Sequence, residues 1–376
     1  MVIMAPRTLA DQLDALTQPG ELYTRHADGA LTCYACGHRC LIKPGRRGIC
    51  QVRFNHGGEL RVPWGYVAAL QCDPTEKKPF FHVYPGSDTL TFGMLGCDLH
   101  CAYCQNWVTS QALRDPTSEQ AGATPHVISP QQMIAAAKRQ GAALVASSYN
   151  EPLITSEWAV AVFKEARAAG LACGYVSNGN TTPEVLDYLR PYISAYKIDL
   201  KTMSDRNYRK LGAVLQNVLD GIKAVHERGL WLEVVTLVIP GFNDSPEELM
   251  EAARFLAALS PDIPWHVTAF HQNYKMTTPD NTSVKQLMRA AEIGQEAGLR
   301  YVYAGNWPGR VGEYENTFCP TCRALLIERY GYIILGYHLT AQGACPQCGT
   351  PVAGVWTTHP TSARLNGPGF PRGLRP

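Results

Sequence analysis

Three cysteines, Cys97, Cys101 and Cys104, stand in a C-x3-C-x2-C array inside the run TLTFGMLGCDLHCAYCQNW, directly after a strand-like segment. No other stretch constrains the chain as much. A structural zinc closes with four protein ligands in a tetrahedron, whereas a [4Fe-4S] cluster has four irons and can leave one without a protein ligand. Three thiolates therefore point to an iron–sulfur cluster with a reactive corner, and a structural zinc is the lesser reading.

The remaining cysteines fall into groups. Of 13 in all, four lie near the N-terminus (Cys33, Cys36, Cys40, Cys50), four near the C-terminus (Cys319, Cys322, Cys345, Cys348), and Cys72 and Cys173 stand alone. The N-terminus lacks a secretory signal and no segment is apolar for the length of a bilayer span, so a cytoplasmic protein is expected. Disulfides are rare in that compartment, which leaves metal binding as the use for most of these thiols. With 34 basic and 32 acidic residues the formal net charge is +2, and nucleic-acid or membrane binding is not indicated.

From Cys33 the chain runs C-x2-C-x3-C-x9-C, then alternates like a hairpin around Asn55-His56-Gly57-Gly58. Four thiolates in so short a span can hold zinc or a second cluster, with His38 as a further donor. Residues 1 to about 30 read as surface, weakly helical at Leu9 to Leu16. DPTEKKPFFHVYPGSD reads as a surface connector, although His82, just upstream of the cluster strand, could form a wall of the active site.

Beyond the cluster loop, strand and helix alternate. Strand-like runs at 143–150, 171–179, 195–200, 265–270 and 300–306, together with LWLEVVTLVIP, are separated by helices introduced by Ser129-Pro130, Thr182-Pro183 and Ser245-Pro246, the pattern of a parallel α/β sheet or barrel. Cys173 reads as a buried thiol packed in the third strand. At the C-terminus, FCPTC and ACPQCGT form two knuckles around a strand-like segment, a zinc-ribbon signal with a rubredoxin-like iron as the minority reading. The tail from about Thr357 reads as unstructured.

The cluster loop resembles that of the radical S-adenosylmethionine (SAM) enzymes. DPTEKKPFFHVYPGS, GCDLHCAYCQNW, YNEP, DLK, LVIPGFND, WHVTAFHQNYKM and GLRYVYAGN extend the resemblance to the AmmeMemoRadiSam system radical SAM enzyme family, related to pyruvate formate-lyase activating enzymes, over most of residues 30–350. Ser177-Asn178-Gly179-Asn180 departs from that pattern in detail. The resemblance implies an α/β fold: a partial (β/α)6 radical SAM barrel with an N-terminal four-cysteine metal-binding segment and a C-terminal zinc-ribbon-like module. The corresponding boundaries are 1–84, 85–310, 311–356 and a flexible tail at 357–376.

It also implies that Cys97, Cys101 and Cys104 hold a [4Fe-4S] cluster whose open iron is chelated by SAM. Asn150 and Glu151 follow the second strand, where an acidic residue receives the SAM ammonium. Ser177, Asn178, Asp199 and Lys201 would contact its ribose and carboxylate, Val238-Ile239-Pro240-Gly241 would back the adenine, and His271 would lie nearby. The implied activity is reductive cleavage of SAM to a 5'-deoxyadenosyl radical that takes hydrogen from a substrate. The partners would be an electron donor such as ferredoxin or flavodoxin and a small-molecule, peptide or protein substrate. Two alternatives stand beside it: a glycyl-radical activating enzyme, and a zinc and iron–sulfur binding module without turnover.

Overall fold

The computed structural model describes residues 8–374. Its centre is a nine-stranded sheet of which seven neighbouring strands are parallel: β1 (Asp88–Gly93), β2 (Leu144–Ser147), β3 (Ala172–Ser177), β4 (Ala195–Asp199), β5 (Trp231–Val238), β6 (Trp265–Ala269) and β7 (Val302–Gly305). The order β1 to β7 follows the chain, and β1 does not pair with β7, so the sheet is an open, partial barrel rather than a closed one. Ala69–Pro74 pairs antiparallel with the free edge of β1.

Helices α1 (Pro130–Gln140), α2 (Ser156–Ala168), α3 (Pro183–Leu189), α4 (Leu215–Glu227), α5 (Pro246–Leu259) and α6 (Val284–Glu296) connect the strands. Their starts follow from local chemistry. Ser129 and Gln132 form a capping box, as do Ser283 and Gln286, while Thr182 and Ser245 cap through their hydroxyls with proline next in line. Such caps are worth about 1 kcal/mol each. They fix where each helix begins, and so where each preceding loop must turn. Leu249, Ala253 and Leu256 bury the inner face of α5.

The supposed surface connector is buried. Phe80, His82 and Val83 are 0% exposed, and Phe80 packs with Leu144 and Ala195, at the starts of β2 and β4. Gly174 of β3 gives that ring its space, because a Cβ there would come 3.3 Å from Phe80 Cε2. The segment plugs the N-terminal end of the barrel. Glu233 near the start of β5 accepts from Phe81 N at 3.0 Å, His82 N at 2.9 Å and Trp231 Nε1 at 3.0 Å, and pairs with His266 Nε2 at 2.7 Å. His82 therefore lies at the end opposite the cluster loop and forms no wall of the active site. Burial lowers its pKa to about 4, which keeps the ring neutral between the Ala353 carbonyl and the Tyr303 hydroxyl.

The C-terminal ribbon, a hairpin of Leu325–Tyr330 and Ile333–Tyr337, caps this same end. It shares an apolar cluster with Phe81, Tyr301 and Tyr303. Arg329 donates to the Phe81 carbonyl at 2.8 Å and lies over its ring.

Two further expectations need correction. Leu9 and Leu13, on the helix Leu9–Ala15, are buried in the main core, so this part of the N-terminal segment is not surface. The tail read as unstructured carries the strand Arg372–Gly373, which pairs with Cys72 and Gln71 on the edge strand. Arg372 and Arg364 both reach the buried Asp88. Cys72 is buried there, 3.2 Å from an Arg372 nitrogen, and Cys173 is the buried packing thiol expected in the third strand.

Candidate active site

The cluster loop leaves the C-terminal end of β1 through Gly96, whose φ of +98° suits glycine and where a Cβ would come 3.0 Å from Val52 Cγ1 and 3.2 Å from Cys50 O. Cys97, Cys101 and Cys104 follow, all free thiols. Leu99 N donates to Cys97 Sγ at 3.3 Å, and Ser110 Oγ lies 3.2 Å from Cys104 Sγ. Burial raises the Cys101 thiol to about 11 even with Lys201 nearby, so its thiolate forms readily only against a metal.

The SAM candidates gather at successive strand ends around this loop. After β2, Asn150 Oδ1 accepts from Met94 N at 3.1 Å and ties the strand end to the loop. Glu151, 2% exposed, caps the turn at Pro152–Thr155 by accepting from Leu153 N, and also accepts from Ser177 Oγ at 2.7 Å and Asn178 N at 2.7 Å. After β4, Asp199 pairs with Lys197, and Lys201 Nζ lies 3.3 Å from its other oxygen. Burial alone would raise the Asp199 carboxyl, but the two lysines outweigh it and hold it at about 2. Past β5, Asn243 organises the Val238–Gly241 turn, accepting from Ile239 N and donating to Leu237 O and Lys201 O. His271 is the outlier: it sits past β6, half-buried and edge-on to Trp307.

One acid of the site has no signal in the sequence. Asp98, inside the cysteine array, is 0% exposed and accepts from Asn178 Nδ2 at 2.7 Å and Asn180 Nδ2 at 2.8 Å; His38 Nε2 lies 3.8 Å away. Two carboxyl groups, Asp98 and Glu151, are thus buried with neutral amide and hydroxyl donors and, among the described residues, no Lys or Arg partner. Burial first, and the Asp98 charge second, push the Glu151 carboxyl up to about 8. Buried anions left in this state are costly unless a cation arrives. Three thiols beside two uncompensated carboxyl groups fit a thiolate-bound cluster with a ligand that brings an ammonium.

The N-terminal array lies at this same end. Gly37 N donates to Asn180 O at 2.7 Å and Thr182 Oγ1 to Tyr34 O at 2.6 Å. The segment is bolted to α2 by the Arg53–Glu157 ion pair at 2.7 and 2.8 Å, each side chain 1% exposed. The ribbon thiols at the far end form a different kind of site: Sγ atoms of Cys319, Cys322, Cys345 and Cys348 all lie within 4.8 Å of one another. No helix among the described residues is long and apolar enough to cross a membrane.

The radical SAM superfamily profile matches residues 92–256. An uncharacterized protein of Methanocaldococcus jannaschii is 35% identical over 310 residues, spanning 82% of this chain and 90% of that protein. The isethionate sulfite-lyase activating enzyme of Oleidesulfovibrio alaskensis is 29% identical over 139 residues, which span 34% of this chain and 43% of that enzyme. A solved domain of pyruvate-formate lyase-activating enzyme from Bacteroides vulgatus is 23% identical with a TM-score of 0.38, covering 43% of this chain and 98% of that domain. With the profile falling across β1 to α5 and the cluster loop, the chain belongs to the radical SAM superfamily, a family of enzymes that implies an iron–sulfur cluster and SAM.

Proposed function

We propose that the chain binds a [4Fe-4S] cluster through Cys97, Cys101 and Cys104 and uses it to cleave SAM. The observation that carries this reading is the pair of buried carboxyl groups, Asp98 and Glu151, with no Lys or Arg partner among the described residues, beside three free thiols. When bound, cluster and SAM supply reductive cleavage to methionine and a 5'-deoxyadenosyl radical, which takes hydrogen from the substrate.

The chain's own residues orient and enclose. Glu151, helped by the Asp98 field, holds the ammonium. Lys201 and Asn178 take the carboxylate, with Lys201 steered by Asp199. Ser177 keeps Glu151 in place, Asn150 ties the strand end to the cluster loop, and the Val238–Gly241 turn backs the adenine with His271 at its edge. At the other end Cys319, Cys322, Cys345 and Cys348 would hold one zinc, four thiolates being the donor set of a closed structural site. The Cys319–Cys348 and Cys322–Cys345 separations of 3.5 and 3.6 Å suit it. A one-electron donor of the ferredoxin or flavodoxin class supplies the electron.

The test is 5'-deoxyadenosine released after anaerobic reconstitution and chemical reduction. The wild-type chain forms it and Cys97→Ala forms none. A wild-type chain with intact cluster and bound SAM that releases none sinks the reading. The similarity to an activating enzyme favours a second reading, in which the substrate is a backbone glycine of a partner enzyme. That reading requires a partner that gains a radical signal in spin resonance.

A further inference from the structure

We infer that the barrel interior, between the plug and the cluster loop, holds the substrate by an anionic group, a carboxylate or a phosphate, on Lys77, Lys78 and Lys197. The inference rests on the cleavage reading and names the class of molecule from which the radical takes hydrogen.

Strand alternation brings these residues inside. Leu90 and Phe92 of β1 pack outward, the Phe92 ring centre 6.1 Å from that of Phe163 on α2, so Thr89 and Thr91 face inward. The edge strand pairs Asp73 with Thr89 and Gln71 with Thr91, which puts both side chains on the same inward face. On β4, Tyr196 packs outward against Tyr175, which itself meets Phe163, and Ala195 packs on Phe80 of the plug. Lys197 and then Asp199 follow Ala195 on that inner face toward the cluster loop.

Here cations outnumber acids, the reverse of the mouth. Buried Asp73 meets Lys77 Nζ at 2.9 Å and Lys78 Nζ at 2.5 Å, and the Tyr149 hydroxyl donates to it at 2.6 Å. Asp199 meets Lys197 and, at 3.3 Å, Lys201. Among the described residues none of these lysines pairs with another acid, and Glu76, next to Lys77 in the chain, accepts from Gly86 N at 2.9 Å instead. Four ammonium groups thus share two carboxylates. With Lys201 given to the SAM carboxylate, Lys77, Lys78 and Lys197 still face only Asp73 and Asp199. Lys78 and Lys197 are buried, where a surplus charge is costly. Burial lowers the Lys78 ammonium to about 8 despite Asp73, and Lys77 and Lys197 lower it further. An anion brought by the substrate relieves that crowding.

The place is open and lies next to the chemistry. The Asp199 and Lys77 side chains are 36% and 24% exposed, so solvent reaches this group of residues. Tyr149 has a φ of +66°, uncommon for a residue with a Cβ. That turn at the end of β2 lays its ring beside Lys78, whose Nζ is 4.3 Å from the ring centre, while the Tyr149 carbonyl accepts from Thr109, just past the cluster loop, at 2.6 Å. Asn150 and Glu151 follow directly. One residue therefore joins the anion site to the SAM site.

The test is calorimetry on the reconstituted, SAM-saturated chain with glycolate, inorganic phosphate and glycolamide, the neutral counterpart of glycolate. At least one anion should bind about tenfold more tightly than glycolamide, and the tighter of the two tells carboxylate from phosphate. Lys77→Gln, at the partly exposed lysine, should weaken that binding about tenfold and Lys77→Arg should restore it, a pattern that lost packing would not give. Anions no tighter than glycolamide, or a Lys77→Gln chain that binds like wild type, overturn the inference. Should Lys77→Gln fail to fold, the wild-type chain answers: bound anion should slow acetylation of Lys77 by acetic anhydride, read by mass spectrometry, and an unchanged rate overturns the inference. Release of 5'-deoxyadenosine is measured alongside. Release without anion binding sinks this inference alone, and anion binding without release sinks the cleavage reading alone.

Discussion

The two four-cysteine modules sit at opposite ends of one barrel, and their surroundings differ in how charge is settled. At the ribbon end, Glu233 is met by two backbone N–H groups, an indole and His266, and Arg329 is held by Thr317, the Glu315 and Phe81 carbonyls and an aromatic face. At the N-terminal array, Asp98 and Glu151 have neutral amide and hydroxyl donors, His38 stands off at 3.8 Å from Asp98, and among the described residues no Lys or Arg pairs with either. A barrel end whose buried charges are answered internally supports structure. One whose buried carboxyl groups are left without a strong cationic partner is built for a ligand.

The largest effect should come from the bolt that holds the N-terminal module to the barrel. Burial alone would raise the Glu157 carboxyl, and the Arg53 charge outweighs it, keeping the pair ionised in the core. Arg53→Ala leaves a carboxylate stranded at 1% exposure and should cost about 3–5 kcal/mol in urea unfolding. Arg53→Met with Glu157→Leu should recover most of that loss, because an apolar pair of similar volume replaces the bridge without stranding a charge. A single variant as stable as wild type would show that the bolt does not hold this end.

Next in size is the contrast between the modules themselves. Cys33→Ala/Cys36→Ala should lower 5'-deoxyadenosine formation by about 10–100-fold, the scale seen when groups supporting a metal site are removed. Cys319→Ala/Cys345→Ala, at the far end, should leave the rate within about twofold of wild type at a temperature where the ribbon-free barrel stays folded. Equal losses in the two variants would erase the functional distinction between the ends.

What can be read from the sequence follows the range over which each interaction acts. The cysteine arrays and the Ser/Thr-Pro helix starts are written within a few residues, so the strand–helix alternation and the cluster loop are legible. The plug at Phe80 to Val83 is not. Its Pro-rich stretch has no periodicity, and the groups that bury it, Glu233 and Arg329, lie 152 and 248 positions from Phe81. Asp98 escapes for the same reason, its amide partner Asn178 being 80 positions on. The tail strand of two residues is too short to carry a pattern. Glu151 is legible as a site candidate, but its bonds to Ser177 and Asn178 come from the next strand and can only be seen once β2 and β3 are paired.

The smallest effect, and the one that reads the charge imbalance most directly, is the pH dependence of SAM binding. Glu151 has a folded pKa of about 8 against an ordinary 4.5, so between those values the folded chain holds a proton that the unfolded chain has released. Stability from this group therefore falls as pH rises through that window. A ligand ammonium favours the carboxylate, so SAM binding below pH 8 must expel the proton. The Kd should tighten by up to about tenfold per pH unit from pH 6 toward 8 and then level off. Calorimetry in buffers of different ionisation heat should show about one proton released per SAM at pH 6.5 and almost none at pH 9. Glu151→Gln should abolish both the slope and the proton release. Glu233→Gln, at the compensated end, should leave both unchanged. A wild-type Kd that does not move with pH, or an equal slope in Glu151→Gln, would mean that the ammonium is held elsewhere and that the imbalance at the barrel mouth serves another cation.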